Sequence, residues 1–141
     1  MGTDIGNAYL EALTDENVCI RVGPEFGALA NHLLLIYKAL YGHRSSGAHW
    51  HERLSDVLRK EDFTPCRAEP DTWMHKNGDQ YEYVAVYVDD LAFAVKDPQA
   101  FVDVLKNNYN FKIKEAGPLE FHLEADFFHD DDGTLCMAPQ K

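Results

Sequence analysis

Apolar positions along the chain fall into short periodic segments, and two different periods are present. In residues 47–61, Trp50, Leu54, Val57 and Leu58 recur at helical spacing with charges on the other side. That pattern predicts a helix with one face on a core, with Ser45 or Ser46 as its N-cap. A second helix is predicted to begin at Pro98, because Asp97 can cap it and proline suits the first helical position. Phe101, Val102, Leu105 and Tyr109 make its apolar stripe, and it should end within residues 107–110. Other segments read as strands. Residues 18–22 are β-rich and stop at Gly23-Pro24, and residues 33–37 form an apolar run that reads as a buried strand. Residues 80–96 are dominated by aromatic and β-branched side chains on both sides of Val88-Asp89-Asp90, the pattern of a hairpin. Residues 111–114, 121–128 and 134–137 are predicted as further strands, with Asp131-Asp132-Gly133 as a tight turn between the last two. Residues 1–5 are too short to assign alone. A helix, a hairpin, a second helix and another strand point to the α+β class. The arrangement expected is a split β-α-β, ferredoxin- or RRM-like antiparallel sheet with two helices on one face.

The 141 residues, 45% of them hydrophobic, suffice for one ordinary core, so a single domain is expected. The longest mainly apolar run is far too short for a membrane span, which predicts a soluble, intracellular protein with no membrane partner. Cys19, Cys66 and Cys136 are odd in number and widely spaced, so they read as reduced thiols, neither a disulfide framework nor a paired metal-ligand pattern. Charge changes the picture more. Thirteen basic residues against 24 acidic give −11, which opposes autonomous tight binding to a phosphate backbone. The stretch 115–132 holds seven acidic residues and no lysine or arginine, an acidic lobe beside a more neutral remainder.

The hairpin tip is chemically odd. Two-residue turns favour glycine or asparagine because they need positive φ, yet valine and two aspartates stand there. Adjacent carboxylates repel unless a cation lies between them, and breaches of this kind concentrate at functional sites. Such hard oxygen donors suit magnesium, which takes one or two carboxylates and fills its remaining positions with water and substrate phosphates. Two ions about 4 Å apart could then activate a 3′-hydroxyl and stabilise a leaving pyrophosphate. A solvated acidic turn is the alternative reading of the tetrapeptide alone. Other candidate chemistry is weaker. His49 and His51 are two apart on a helix, unlike an i, i+4 ligand pair, and His129-Asp130-Asp131-Asp132 lacks the ligand spacing of a calcium loop.

Four blocks in order resemble the reverse transcriptase of copia-type long-terminal-repeat retrotransposons. They are Thr3-Asp4-Ile5-Gly6-Asn7-Ala8-Tyr9-Leu10, Leu40-Tyr41-Gly42 leading to Trp50, Tyr87-Val88-Asp89-Asp90-Leu91, and Phe111-Lys112-Ile113-Lys114-Glu115-Ala116-Gly117. The resemblance implies the palm of an RNA-directed DNA polymerase, whose split β-α-β arrangement agrees with the periodicity. It makes Asp4, Asp89 and Asp90 the catalytic, metal-binding triad for two Mg²⁺ ions, with Mn²⁺ as a substitute, Asp4 and Asp89 as bridging ligands, and the Ile5 carbonyl completing one site. Tyr9 matches a steric gate against a ribonucleotide 2′-hydroxyl, with a core aromatic as the plainer reading. Gly42, Arg44 and Ser45 fall in the loop that contacts the incoming nucleotide, Lys114 matches a lysine near the triphosphate, and Tyr87 and Val88 fall where primer and template pass. Lys112, two residues from Lys114, competes for that role. Residues 121–128 would lie near the primer grip.

Implied partners are an RNA template, a DNA primer and deoxynucleoside triphosphates, within a cytoplasmic retrotransposon particle or, alternatively, the nucleus. The sequence also departs from the family. Arg44-Ser45-Ser46-Gly47 replaces a Lys-Gln-Ala-Pro run, and Phe121-His122-Leu123-Glu124 puts glutamate where the family has glycine. Most of the fingers would lie before this segment and the thumb and RNase H after it, so a palm-centred fragment with part of the fingers is expected. The rival readings are a non-catalytic remnant acting as an interaction or homodimerisation module, and a metal-dependent nuclease or cyclase on a similar palm.

Overall fold

The computed structural model describes residues 1–139, and its contacts divide the chain into two compact units: Met1–Asn7 with the stretch from Ser55 onward, and Ala8–Leu54. In chain order the strands are β1 (Gly2–Ile5), β2 (Leu13–Arg21), β3 (Leu33–Lys38), β4 (Thr64–Pro65), β5 (Thr72–Asn77), β6 (Gln80–Tyr87), β7 (Asp90–Ala94), β8 (Ile113–Gly117), β9 (Phe121–His122), β10 (Ala125–His129) and β11 (Leu135–Pro139). The helices are α1 (Ser46–Lys60) and α2 (Pro98–Asn107).

The first unit is built on a six-stranded sheet in the order β4-β5-β6-β7-β1-β8. Every pairing in it is antiparallel. The register places Trp73, Val84 and Phe93 in one row on one face. Both helices meet that row: Arg59, in the last turn of α1, lies with its guanidinium 5.5 Å from the Trp73 ring, and Phe101 of α2 meets Phe93 edge-on at 5.3 Å. Aromatic and cation–π contacts of this geometry add specificity to the apolar burial beneath them. Helix α2 starts where the sequence puts it, since Asp97 accepts a hydrogen bond from Ala100 N at 2.9 Å and Pro98 occupies the first turn. Phe101, Val102 and Leu105 are its buried stripe.

The opposite face of the sheet carries a row of small residues, Thr72, Ala85, Ala92, Gly2 and Gly117. Over the Thr72, Ala85 and Ala92 part of this floor lies a groove of about 910 Å³ whose other wall comes from β10 and Leu135 of β11. Here the structure corrects the sequence. Residues 121–128 are not one strand: Leu123 and Glu124, with φ of 52° and 59°, turn the chain back so that β9 pairs with β10. Two consecutive positive φ values define a turn that normally selects Asn-Gly, so nothing in the residue types announces it. The strand predicted at 111–114 starts instead at Ile113; Phe111 is buried and donates its N–H to the Leu105 carbonyl, extending the end of α2.

In the second unit β2 and β3 form a two-stranded antiparallel sheet, interrupted by an irregularity between Leu13 and Val18. Strand β2 runs well before the predicted 18–22. The apolar run of β3 is not buried: Leu33, Leu35 and Tyr37 are 62%, 59% and 66% exposed. A two-stranded ribbon has two faces and covers neither, which a continuous apolar run does not reveal. At the start of α1 neither serine hydroxyl is turned to the helix: Ser46 Oγ donates to the Leu40 carbonyl at 2.6 Å, and Ser45 Oγ lies 3.0 Å from His43 Nδ1.

Candidate active site

β1 lies between β7 and β8, so Gly2, Thr3 and Asp4 each face two neighbours. Asp4 is directly opposite Asp90 on β7 and Glu115 on β8. Three carboxylates therefore share one row at the end of the small-residue floor, an arrangement that costs stability unless countercharge is supplied. Alternation along the strands puts Tyr87, which pairs with Asp90, in the same row. Asp89 is fixed through its backbone, because its carbonyl accepts the Ile5 N–H at 2.9 Å. That bond ties the hairpin tip to β1.

The tip itself is strained. Tyr87 pairs with Asp90, leaving Val88 and Asp89 as the two loop residues, and Val88 has φ of 54°. A positive φ at the first loop position alone is the pattern that normally selects glycine, and a β-branched residue there is an outlier. The cost is of the order of 1–2 kcal/mol, borne where the two aspartates are displayed.

Lys114 Nζ lies 2.9 Å from Asp4 Oδ1. The two form an ion pair at a carboxylate oxygen that is itself buried. The position of Lys114 follows from a bulge: Asp4 pairs with Glu115 while Ile5 pairs with Ile113, so Lys114 is the extra residue. Bulges re-aim side chains in this way. Gly6 makes room for it, since a Cβ there would come within 3.1 Å of Lys114 Cγ and Cε.

Burial raises the Asp90 pKa above its ordinary 3.8, and the negative charges of Asp89 and Asp4 add to that, while His122 and Lys114 oppose it. His122 is buried, its Nε2 has no hydrogen-bond partner among the described residues, and burial lowers its pKa against the pull of Asp90. His122 and Glu115 line, with Asp4 and Asp90, a cavity of about 520 Å³. Sequence reasoning missed both in this setting. Only the strand register exposes Glu115, and only the unforeseen β9–β10 turn brings in His122.

Carboxylate oxygens crowded together on neighbouring strands are the kind of donor a hard divalent cation takes. Among the described residues no three His, Cys, Asp or Glu side chains are already gathered as metal ligands. Asp4 and Asp90 are brought together by the strands, and Asp89 is held beside them by its backbone.

The other predicted contacts belong to the second unit. Tyr9 sits in a 3-10 turn, Ala8–Glu11, and its ring packs on Tyr41 with centroids 4.6 Å apart. Gly47 stands beside it, where a Cβ would be 3.8 Å from the Tyr9 hydroxyl. Gly42 has φ of 87°, a conformation that explains its glycine. Arg44 is exposed in the following turn.

Residues 2–139 match the family described as reverse transcriptase (RNA-dependent DNA polymerase). A Saccharomyces cerevisiae protein of transposon Ty5-1 is 25% identical over 141 residues, covering 97% of this chain and 46% of that protein. The truncated transposon Ty1-A Gag-Pol polyprotein of the same yeast is 31% identical over 127 residues, 87% of this chain and 10% of the polyprotein, and the Ty1-DR5 Gag-Pol polyprotein matches equally over 7% of its length. The chain thus spans less than half of the curated relatives it matches. No solved structure matches. Ty1 and Ty5 are copia-type elements, in agreement with the ordered motifs. With a helix-backed antiparallel sheet, an Asp-Asp hairpin and a family match along nearly its whole length, the chain belongs to the reverse transcriptases of copia-type retrotransposons.

Proposed function

We propose that this chain is the palm, with part of the fingers, of an RNA-directed DNA polymerase that extends a DNA primer on an RNA template. The observation that carries the reading is the cross-strand pairing of Asp4 with Asp90, with Asp89 tied to Ile5 through its carbonyl. Asp4, Asp89 and Asp90 would hold two Mg²⁺ ions, or Mn²⁺, assisted by the Ile5 carbonyl. Bound there, the ions supply Lewis-acid activation of the primer 3′-hydroxyl and charge stabilisation of the leaving pyrophosphate.

The protein's own part is positioning. The strained tip and the Ile5–Asp89 bond hold the carboxylates in place before substrate arrives, so no reorganisation is needed at the moment of reaction. Tyr87 and Val88 would face primer and template. Tyr9, braced by Tyr41, would exclude the 2′-hydroxyl of a ribonucleotide, and Gly42, Arg44 and Ser45 would meet the incoming deoxynucleoside triphosphate. The setting proposed is a retrotransposon particle in the cytoplasm.

A second reading, a non-catalytic remnant serving as an interaction or dimerisation module, is favoured by the −11 charge and the exposed Leu33-Leu35-Tyr37 face. Primer extension on an RNA template with Mg²⁺ or Mn²⁺, comparing the chain with Asp89→Ala, separates the two. Extension abolished by the substitution supports the polymerase. Extension that survives it refutes the assigned site, and none from either protein favours the module.

A further inference from the structure

Lys114 stands in the position that a cation on Asp4 would need. Its Nζ is 2.9 Å from Asp4 Oδ1, and three features converge to put it there. The bulge that inserts Lys114 between the Asp4–Glu115 and Ile5–Ile113 pairs re-aims its side chain. Gly6, buried and lacking a Cβ, leaves the lane through which the lysine stem passes. The row Asp90-Asp4-Glu115 supplies the negative field that draws the ammonium in.

Resting on the metal-binding reading of Asp4, we infer that Lys114 is an internal counter-ion for the ion-free site, a latch whose ammonium competes with a divalent cation for Asp4 Oδ1. A divalent cation binding at Asp4 displaces the ammonium from that oxygen. The pair therefore keeps the crowded carboxylates tolerable in the absence of metal and weakens metal affinity by the cost of opening it. No covalent step is involved. The role is one of regulation, separate from any contact between Lys114 and substrate.

The test is a Mn²⁺ titration of the purified chain at low ionic strength, with free Mn²⁺ read by electron paramagnetic resonance. Lys114→Met removes the competitor. Exposed pairs of this kind contribute up to about 1 kcal/mol, so its Mn²⁺ affinity should be about three- to fivefold tighter, and the gain should shrink as NaCl is raised. Gly6→Ala alters no charge but crowds the lysine stem and, at 3.2 Å, the Lys112 carbonyl, so its fold is checked by circular dichroism and its Mn²⁺ binding should tighten in the same direction. Lys112→Met removes an equal charge without this contact and should leave affinity unchanged, as should Lys114→Arg, which keeps a cation in place. Equal affinity in wild type, Lys114→Met and Gly6→Ala overturns the latch while leaving the metal site standing. Equal tightening by Lys112→Met and Lys114→Met also overturns it, since general charge would then account for the effect. Absence of Mn²⁺ binding in every protein overturns the metal reading itself.

Discussion

Leu123 and Glu124 reverse the chain between β9 and β10 with both φ angles positive, and both side chains are exposed. Glu124→Gly isolates the energetics of that turn. An L-residue in the left-handed region costs about 1–2 kcal/mol, and glycine relieves it. Glycine also gains more freedom in the unfolded chain, which offsets about 0.5–1 kcal/mol. No buried contact is lost, so the net expectation is a stabilisation of about 0.5–1 kcal/mol, or roughly 2–4 °C in melting temperature for a protein of this size. Urea unfolding followed by circular dichroism and by tryptophan fluorescence measures it. The sign is decisive. If residues 121–128 were one continuous strand, as expected from the sequence, glycine in its interior would destabilise by about 0.5–1 kcal/mol. A loss of stability in Glu124→Gly would therefore refute the turn and, with it, the placement of His122 beside Asp90.

Two further outcomes are expected. Because the folded-state pKa of Asp90 is raised, its neutral form is favoured in the fold; the stability it contributes is present below the ordinary 3.8 and is lost as pH rises through the folded value. Asp90→Asn should accordingly melt higher than wild type at neutral pH in EDTA, with the difference vanishing below about pH 4; a lower melting temperature at neutral pH would contradict the crowding of Asp4, Asp89 and Asp90. Asp97→Ala removes the acceptor for Ala100 N and should cost about 1 kcal/mol in urea unfolding, and an unchanged midpoint would show that the cap contributes nothing.

What could be read in advance follows from where local chemistry decides the structure. Asp97-Pro98 and the stripe of Phe101, Val102 and Leu105 determine α2 locally, and the structure places it accordingly. The β6–β7 hairpin was legible from its flanking residues, although its tip breaks the turn rules at Val88. The β9–β10 turn was not, because Leu123 and Glu124 carry no turn signal and their conformation is imposed by pairing on either side. The exposure of β3 was hidden because a run of leucines looks the same in a core and in a two-stranded ribbon. For the site, the motifs named Asp4, Asp89 and Asp90, but the row that adds Glu115 and the contact from Lys114 depend on strand register and a bulge, which no single segment encodes.

The interior position of β1 has a consequence for how the protein is made. Its four residues pair only with β7 and β8, so Asp4 must wait for Asp90 and Glu115 to be synthesised. At roughly 5–20 residues per second the strand stays unpaired for roughly 5–20 seconds on the ribosome. Long-range pairings of this kind are also the slow ones to form. A chain that has assembled its helices and the β5–β6–β7 meander but not yet seated β1 would hold two open strand edges, the surfaces on which sheets aggregate. The Asp90-Asp4-Glu115 row is therefore complete only once β1 is seated between β7 and β8.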